Sequence, residues 1–360
     1  MKFTMSEGLL LLAGGRVIRG RSIGVEGEAF GELVFTTSIS GYEETLTDPS
    51  YNGQIVLFTY THIGNYGAWT GELESERVWA EGVVVRDACS YPSNAKSRGT
   101  LRDFLREHGV VGIEGVDTRA LTVAIREHGT IPAAMVCGDV GSVDLGGVRE
   151  RLAAWRYEVD LVRETTCGRV EVLGKGRKTV ALLDCGVKHG ILRRLVDSGV
   201  TVLRFPAWAS ADEILSWGPD GVLVSNGPGD PAVLGYAVET VKRLIGRAPM
   251  MGVCLGHQLI ALAMGCRTYK MKFGHRGTNH PVKDLKTGKI HITLQNHGYA
   301  VDPRSLEGKG LRVRQVSLND GTIEGLEHED LNLLSTQYHP EGKPGPSDGA
   351  GIFDEFLVML

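Results

Sequence analysis

The chain has 360 residues, enough for two or three domains at about 100–200 residues each. Its 39 Lys+Arg and 43 Asp+Glu leave a formal charge of −4, which gives no electrostatic case for binding nucleic acid or an anionic membrane. The 49 glycines lack a period, so they point to tight turns and close backbone approaches and exclude a collagen-like chain. The six cysteines (Cys89, Cys137, Cys167, Cys185, Cys254 and Cys266) form no C-x-x-C pair and no disulfide-like spacing. The opening apolar run is four leucines long, too short for a signal segment or a membrane span. A reducing cytoplasm is the expected compartment.

Residues up to about Asp139 read mainly as short strands. Leu9–Leu12, Glu32–Thr36, Ile55–Thr59 and Gly82–Arg86 are apolar or β-branched runs bounded by turn residues. Helices are expected over Thr100–His108 and Thr118–His128, the second stopped by Gly129, followed by a strand at Ile131–Val136. The order of these strands is not readable. The stretch from Gly141 to Lys178 is weakly patterned, with a helix expected at Val148–Trp155. We therefore expect domains over 1–140 and 178–360 joined by a linker region over 141–177.

From Thr179 strands and helices alternate. Strands are expected at Val180–Leu183, Val200–Phe205, Gly221–Ser225 and Met250–Val253. Helices are expected at Gly190–Ser198, Ala211–Trp217, a segment ending near Ile245, and Gly256–Met264. The alternation implies an α/β fold with a mostly parallel, doubly wound sheet, following a β-rich α/β domain. Ligands of such sheets bind beyond the carboxyl ends of the strands, which directs attention to the loops after Ser225 and Val253.

The second of those loops is Gly252-Val-Cys254-Leu-Gly256-His-Gln258. Glycines two residues either side of a cysteine, between an apolar strand and an apolar helix, suit a nucleophile elbow. The helix N-terminus favours a thiolate there. Near the end stands His339-Pro-Glu341-Gly. Proline biases His339 toward extended backbone, so His339 and Glu341 point the same way and can serve as base and orienter. Asn226-Gly227-Pro-Gly229-Asp-Pro is a rigid loop able to supply an oxyanion donor beside the N–H of Leu255. Gln295-Asn296-His-Gly298-Tyr299 suits recognition of a polar substrate. His275 and His280 lack carboxylates at ligand spacing in the sequence, so hydrogen-bonding roles are expected and no metal site. No P-loop, no G-x-G-x-x-G after a strand and no H-E-x-x-H occurs.

GVCLGHQ, NGPGDP and HPEG resemble the nucleophile, oxyanion and His/Glu motifs of the class I (triad) glutamine amidotransferases. Residues 37–51, Gln54-Ile-Val, His62-Ile-Gly-Asn, Gly115-Val-Asp-Thr-Arg and Lys272-Phe-Gly-His-Arg-Gly-Thr-Asn-His-Pro resemble the small subunits of carbamoyl-phosphate synthetases. The resemblance implies a flavodoxin-like amidotransferase domain behind an N-terminal β/α domain. It implies a catalytic set of Cys254, His339 and Glu341, with oxyanion donors at Leu255 and Gly229. Glutamine would be bound by Ser50, Gly227, Gly229, Leu255, Gln258, Asn296, Gly298 and Tyr299. Tyr299 stands where the family often has Phe, which leaves a backbone contact intact. The partner implied is a large subunit that makes carbamoyl phosphate from bicarbonate with ATP and Mg; no cofactor is implied in this chain. Two alternatives are another triad amidotransferase subunit, disfavoured by the N-terminal motifs, and a catalytically dead regulatory subunit, disfavoured by the intact Cys254, His339 and Glu341.

Overall fold

The computed structural model describes residues 6–68 and 73–360. The chain forms two compact units, Met1–Tyr157 and Glu158–Leu360. The segment 141–177 is shared between them. The helix Leu145–Ala154 buries Val148 and Leu152 on the first unit's core, whereas Val162–Thr165 and the strand Glu171–Leu173 belong to the second. The expected helix at Val148–Trp155 thus starts three residues earlier, where Asp144 caps the N–H groups of Gly146 and Gly147.

Among the described residues the first unit is built on a closed barrel. Its strands run in the order Glu7–Leu12, Val17–Ser22, Val111–Glu114, Gly82–Val84, Gln54–Phe58, Gly27–Thr36 and Ile131–Gly138, the last pairing back to the first. Three neighbouring pairs are parallel and the others antiparallel. Leu101–Glu107 is opened by a capping box in which Thr100 and Asp103 exchange bonds. Thr118–His128 is stopped at Gly129 (φ 97°), as its sequence predicts, and its N-terminus is capped by Asp117.

The second unit is one twisted sheet. Lys178–Asp184, Val200–Pro206, Gly221–Val224, Met250–Val253 and Leu333–Thr336 pair in parallel, in the spatial order 200, 178, 221, 250, 333 by first residue. Alternate residues serve opposite faces: Val180 and Leu182 pack with Ile191, Leu195, Phe353 and Phe356, while Ala181 and Leu183 pack with Ile214, Val241 and Leu259. Burial on both faces explains the continuous apolar runs of these strands. Each such Leu, Ile or Phe contributes about 1.5–3 kcal/mol relative to exposure.

The expectation of a mostly parallel sheet needs correction. Beyond Leu333–Thr336 the sheet continues with four antiparallel strands, Ile323–His328, Arg312–Ser317, Thr268–Asp284 and Ile290–Val301, and Glu171–Leu173 adds an antiparallel edge. The 17-residue Thr268–Asp284 strand is rich in Lys, Arg, His and Gly, so it carries little apolar alternation to read. Among the described residues no helix is long and apolar enough to cross a membrane.

Candidate active site

Parallel pairing of Val253 with Thr336 sets two strand ends side by side, and the chain leaves both toward one place. One end leads into Cys254, whose N–H donates to Thr336 O (2.8 Å). The other leads through Gln337 and Tyr338 to His339, whose N–H donates to Leu294 O (2.9 Å).

Cys254 has φ 52° and ψ −103°, a strained conformation for a residue with a Cβ. The flanking glycines are demanded by space. A Cβ on Gly252 would lie 2.6 Å from Ile260 Cδ1, and one on Gly256 would lie 2.1 Å from Val224 O. The helix Leu255–Ala263 starts at the elbow, placing its N-terminal dipole at the thiol. Sγ faces two polar groups: Gln337 Nε2 donates to it at 3.6 Å, and its S–H reaches Asn296 O at 3.5 Å.

His339 Nδ1 and Glu341 Oε1 are 2.8 Å apart, and both side chains are wholly buried. The ordinary reading is a proton on Nδ1 donated to the carboxylate, which leaves Nε2 for the neighbouring thiol. Burial opposes a charged His339, but Glu341 outweighs it and holds the imidazole well above its ordinary range; Lys188 works against this and Cys254 with it. Burial likewise pushes Glu341 up, but Lys188 and His339 hold it well below the ordinary carboxylate range.

Lys188 is a residue that sequence reasoning missed. Only 1% exposed, its Nζ lies 2.6 Å from Glu341 Oε1 and also donates to Lys343 O. It sits in the loop after Lys178–Asp184, the first parallel strand of the second unit. That position at a strand's carboxyl end was the available signal. Asn226 fixes the loop: its Oδ1 accepts from Lys188 N (3.2 Å) and its Nδ2 donates to Gly186 O (3.0 Å). Buried Asp184 accepts from Gly186 N and Val187 N. Gln337 was also missed, since an amide before Tyr-His-Pro has no signature of its own.

The expected glutamine-binding residues fall as follows. Gly227 sits against Cys185 O and the Leu255 side chain, so close that a Cβ would overlap both. Gly229 takes φ 88°, a left-handed conformation that favours glycine. Gln258 Nε2 donates to Tyr299 O (2.8 Å) and to Gln337 Oε1 (3.0 Å). The second bond orients the Gln337 amide so that its nitrogen faces Sγ. Asn296, Gly298 and Tyr299 lie on Ile290–Val301, with the Asn296 carbonyl meeting Cys254 Sγ. Ser50 lies in the first unit, buried in the short helix Pro49–Tyr51, where its N–H donates to Asp48 Oδ1 (2.9 Å). His275 Nε2 pairs with Asp320 (2.9 Å), a hydrogen-bonding role of the kind expected, with a carboxylate from the turn between Arg312–Ser317 and Ile323–His328.

This arrangement can form a thiolate–imidazolium pair at a strained turn, with a buried carboxylate behind the imidazole: the parts of a cysteine acyl-transfer site. Residues 181–359 match the family model for glutamine amidotransferase class-I, and residues 10–135 match that for the carbamoyl-phosphate synthase small chain, CPSase domain. The chain is 48% identical over 353 residues to the carbamoyl phosphate synthase small chain of Bacillus caldolyticus, covering 98% of this chain and 96% of that one. The protein of the same name from Listeria innocua is 46% identical over 356 residues, covering 99% and 97%. A solved glutamine amidotransferase from Thermotoga maritima aligns with a TM-score of 0.37 at 16% identity, over 46% of this chain and 76% of that chain. The second unit is thus a class-I glutamine amidotransferase domain. The whole chain belongs to the family of carbamoyl phosphate synthase small chains.

Proposed function

We propose that this chain hydrolyses glutamine through a thioester on Cys254 and passes the ammonia to a large synthetase subunit. The Cys254 thiolate attacks the side-chain carboxamide carbon. The N–H groups of Leu255 and Gly229 stabilise the oxyanion, each donor being worth about 3 kcal/mol in the barrier. The C–N bond then breaks as protonated His339 gives its proton to the leaving nitrogen, releasing ammonia. Neutral His339 takes a proton from water, whose oxygen attacks the thioester. Glutamate leaves and the thiol is restored. Glu341 orients His339, and Lys188 fixes Glu341.

The observation that carries this reading is the strained Cys254 beside the buried His339–Glu341 pair (2.8 Å). Glutamine recognition is assigned to Ser50, Gly227, Gly229, Leu255, Gln258, Asn296, Gly298 and Tyr299. Ser50 enters on the family resemblance alone, and a raised glutamine KM in Ser50→Ala is the check on it. Carbamoyl phosphate synthesis from bicarbonate, with ATP and Mg, is assigned to the partner subunit, and the cytoplasm to the complex.

The test is Cys254→Ser in the assembled complex. A serine hydroxyl is a far poorer nucleophile because its pKa lies well above the thiol's. Glutamine-dependent synthesis should vanish, and added ammonium should restore it. Surviving glutamine-dependent synthesis would show that Cys254 is not the nucleophile. Failed rescue in an intact complex would break the division of labour.

A further inference from the structure

His275 and His297 stand directly opposite one another on Thr268–Asp284 and Ile290–Val301, with ring centroids 5.0 Å apart. Glu324, on Ile323–His328, joins them from two strands away. The three are 5%, 5% and 0% exposed. His275 Nδ1 lies 3.5 Å from Glu324 Oε1, and one donor atom from each residue lies within 4.8 Å of the other two.

Each of the three is gripped by its other polar atom. His275 Nε2 is 2.9 Å from Asp320 Oδ2. His297 Nδ1 is 2.8 Å from Tyr299 O. Glu324 Oε2 accepts from Gln295 Nε2 at 2.7 Å. A carbonyl can only accept, so the His297 proton sits on Nδ1 and its Nε2 presents a lone pair. That Nε2 and His275 Nδ1 are both buried and make no hydrogen bond.

We propose that His275, His297 and Glu324 form a structural site for a divalent transition-metal ion of the zinc type. Two imidazole nitrogens and one carboxylate oxygen suit zinc and its first-row neighbours, whereas calcium and magnesium favour all-oxygen shells. The outer partners follow the pattern of metal-bound histidines, which give their second N–H to a carboxylate or a backbone carbonyl. Metal–ligand bonds of about 2.0–2.2 Å require the three side chains to close in on the ion from the present spacing. Gln295, whose Nε2 binds Glu324, has a buried Oε1 without a hydrogen-bond partner. The ion ties together three antiparallel strands. It fixes His297, the residue after Asn296, whose carbonyl meets the Cys254 thiol. The competing occupant is a proton on His275, bridging Asp320 and Glu324.

The experiment uses the full chain carrying Cys254→Ser, which removes the catalytic thiol as a rival ligand. After chelator treatment it is titrated with Co²⁺, followed by visible absorption, and then competed with Zn²⁺. The expected result is one equivalent bound with intense ligand-field bands, displaced by zinc, and a raised Tm. Glu324→Gln should abolish these bands. Asp320 is 41% exposed on its side chain, so Asp320→Asn is the variant that keeps the fold; it should weaken binding about 10–100-fold. A folded, stripped chain that takes up no ion would overturn the site and leave the proton as its occupant. Binding undiminished in Asp320→Asn would place the ion elsewhere and overturn it equally.

Discussion

Lys188 and His339 share one oxygen of Glu341: Oε1 lies 2.6 Å from the ammonium and 2.8 Å from the imidazole. Lys188 reaches it from 153 residues upstream. The carboxylate has no exposed edge, so each cation substitutes for the water it lost.

Lys188→Met should therefore destabilise the chain by about 3–5 kcal/mol, because it strands a buried carboxylate with half its compensation. Urea unfolding of the two chains checks this. The sign with pH follows from the depressed Glu341. A group held below its ordinary value contributes stability above that value and loses it as pH falls toward the folded one. Without Lys188 the depression shrinks, so the share of stability lost as pH falls below the ordinary carboxylate value should be smaller than in the parent. Unchanged acid unfolding would show that Lys188 does not hold Glu341.

Glu341→Gln should act mainly through His339. Glu341 is what raises the imidazole against burial, and Lys188 remains to oppose its charge. His339 should then lose its proton at lower pH. The alkaline limb of the glutaminase kcat/KM profile should move down in pH, while His339→Ala removes activity more completely. A larger loss in Glu341→Gln than in His339→Ala would reverse the two roles.

Cys254→Gly should be more stable than the parent. At φ 52° the side chain costs about 1–3 kcal/mol that glycine does not incur, and the lost sulfur contacts offset part of the gain. Glutamine hydrolysis should disappear together with a rise in Tm. A Tm that falls by as much as a buried Cys→Gly change elsewhere would argue against stored strain at the elbow.

Gly256→Ala should fail where Gly235→Ala succeeds. The first Cβ meets Val224 O at 2.1 Å and Val224 C at 2.7 Å, backbone atoms of a central strand that cannot turn aside; the second meets nothing within 4 Å. We expect Gly256→Ala to lose at least 1–3 kcal/mol and its glutaminase activity. Gly235→Ala should be neutral or gain about 0.4–1 kcal/mol. Parallel thermal melts and glutaminase assays separate them.

The sequence by itself determined what is local. Met250–Val253 and Thr118–His128 have their expected bounds, the helix ending at the Gly129 stop written beside it. The strained turn at Cys254 was legible because G-x-C-x-G encodes a backbone conformation within five residues. His339 and Glu341 were legible because an extended backbone repeats its side-chain direction every second residue.

Only the tertiary structure decided which distant groups meet. Lys188 looks in the sequence like any solvated lysine, and it is buried because the segments leaving the carboxyl ends of Lys178–Asp184 and Leu333–Thr336 meet across the two parallel strands between them. Gln258 Nε2 bonds Tyr299 O on Ile290–Val301 and Gln337 Oε1 just beyond Leu333–Thr336, partners that no local pattern names. His275, His297 and Glu324 are too far apart in the chain for any ligand-spacing rule; antiparallel register brings them together. The physical reason is the same in each case. Backbone propensity and hydrophobic period act over a few residues, whereas charge pairing and ligand clustering depend on sheet register, which the sum of apolar burial along the whole chain sets.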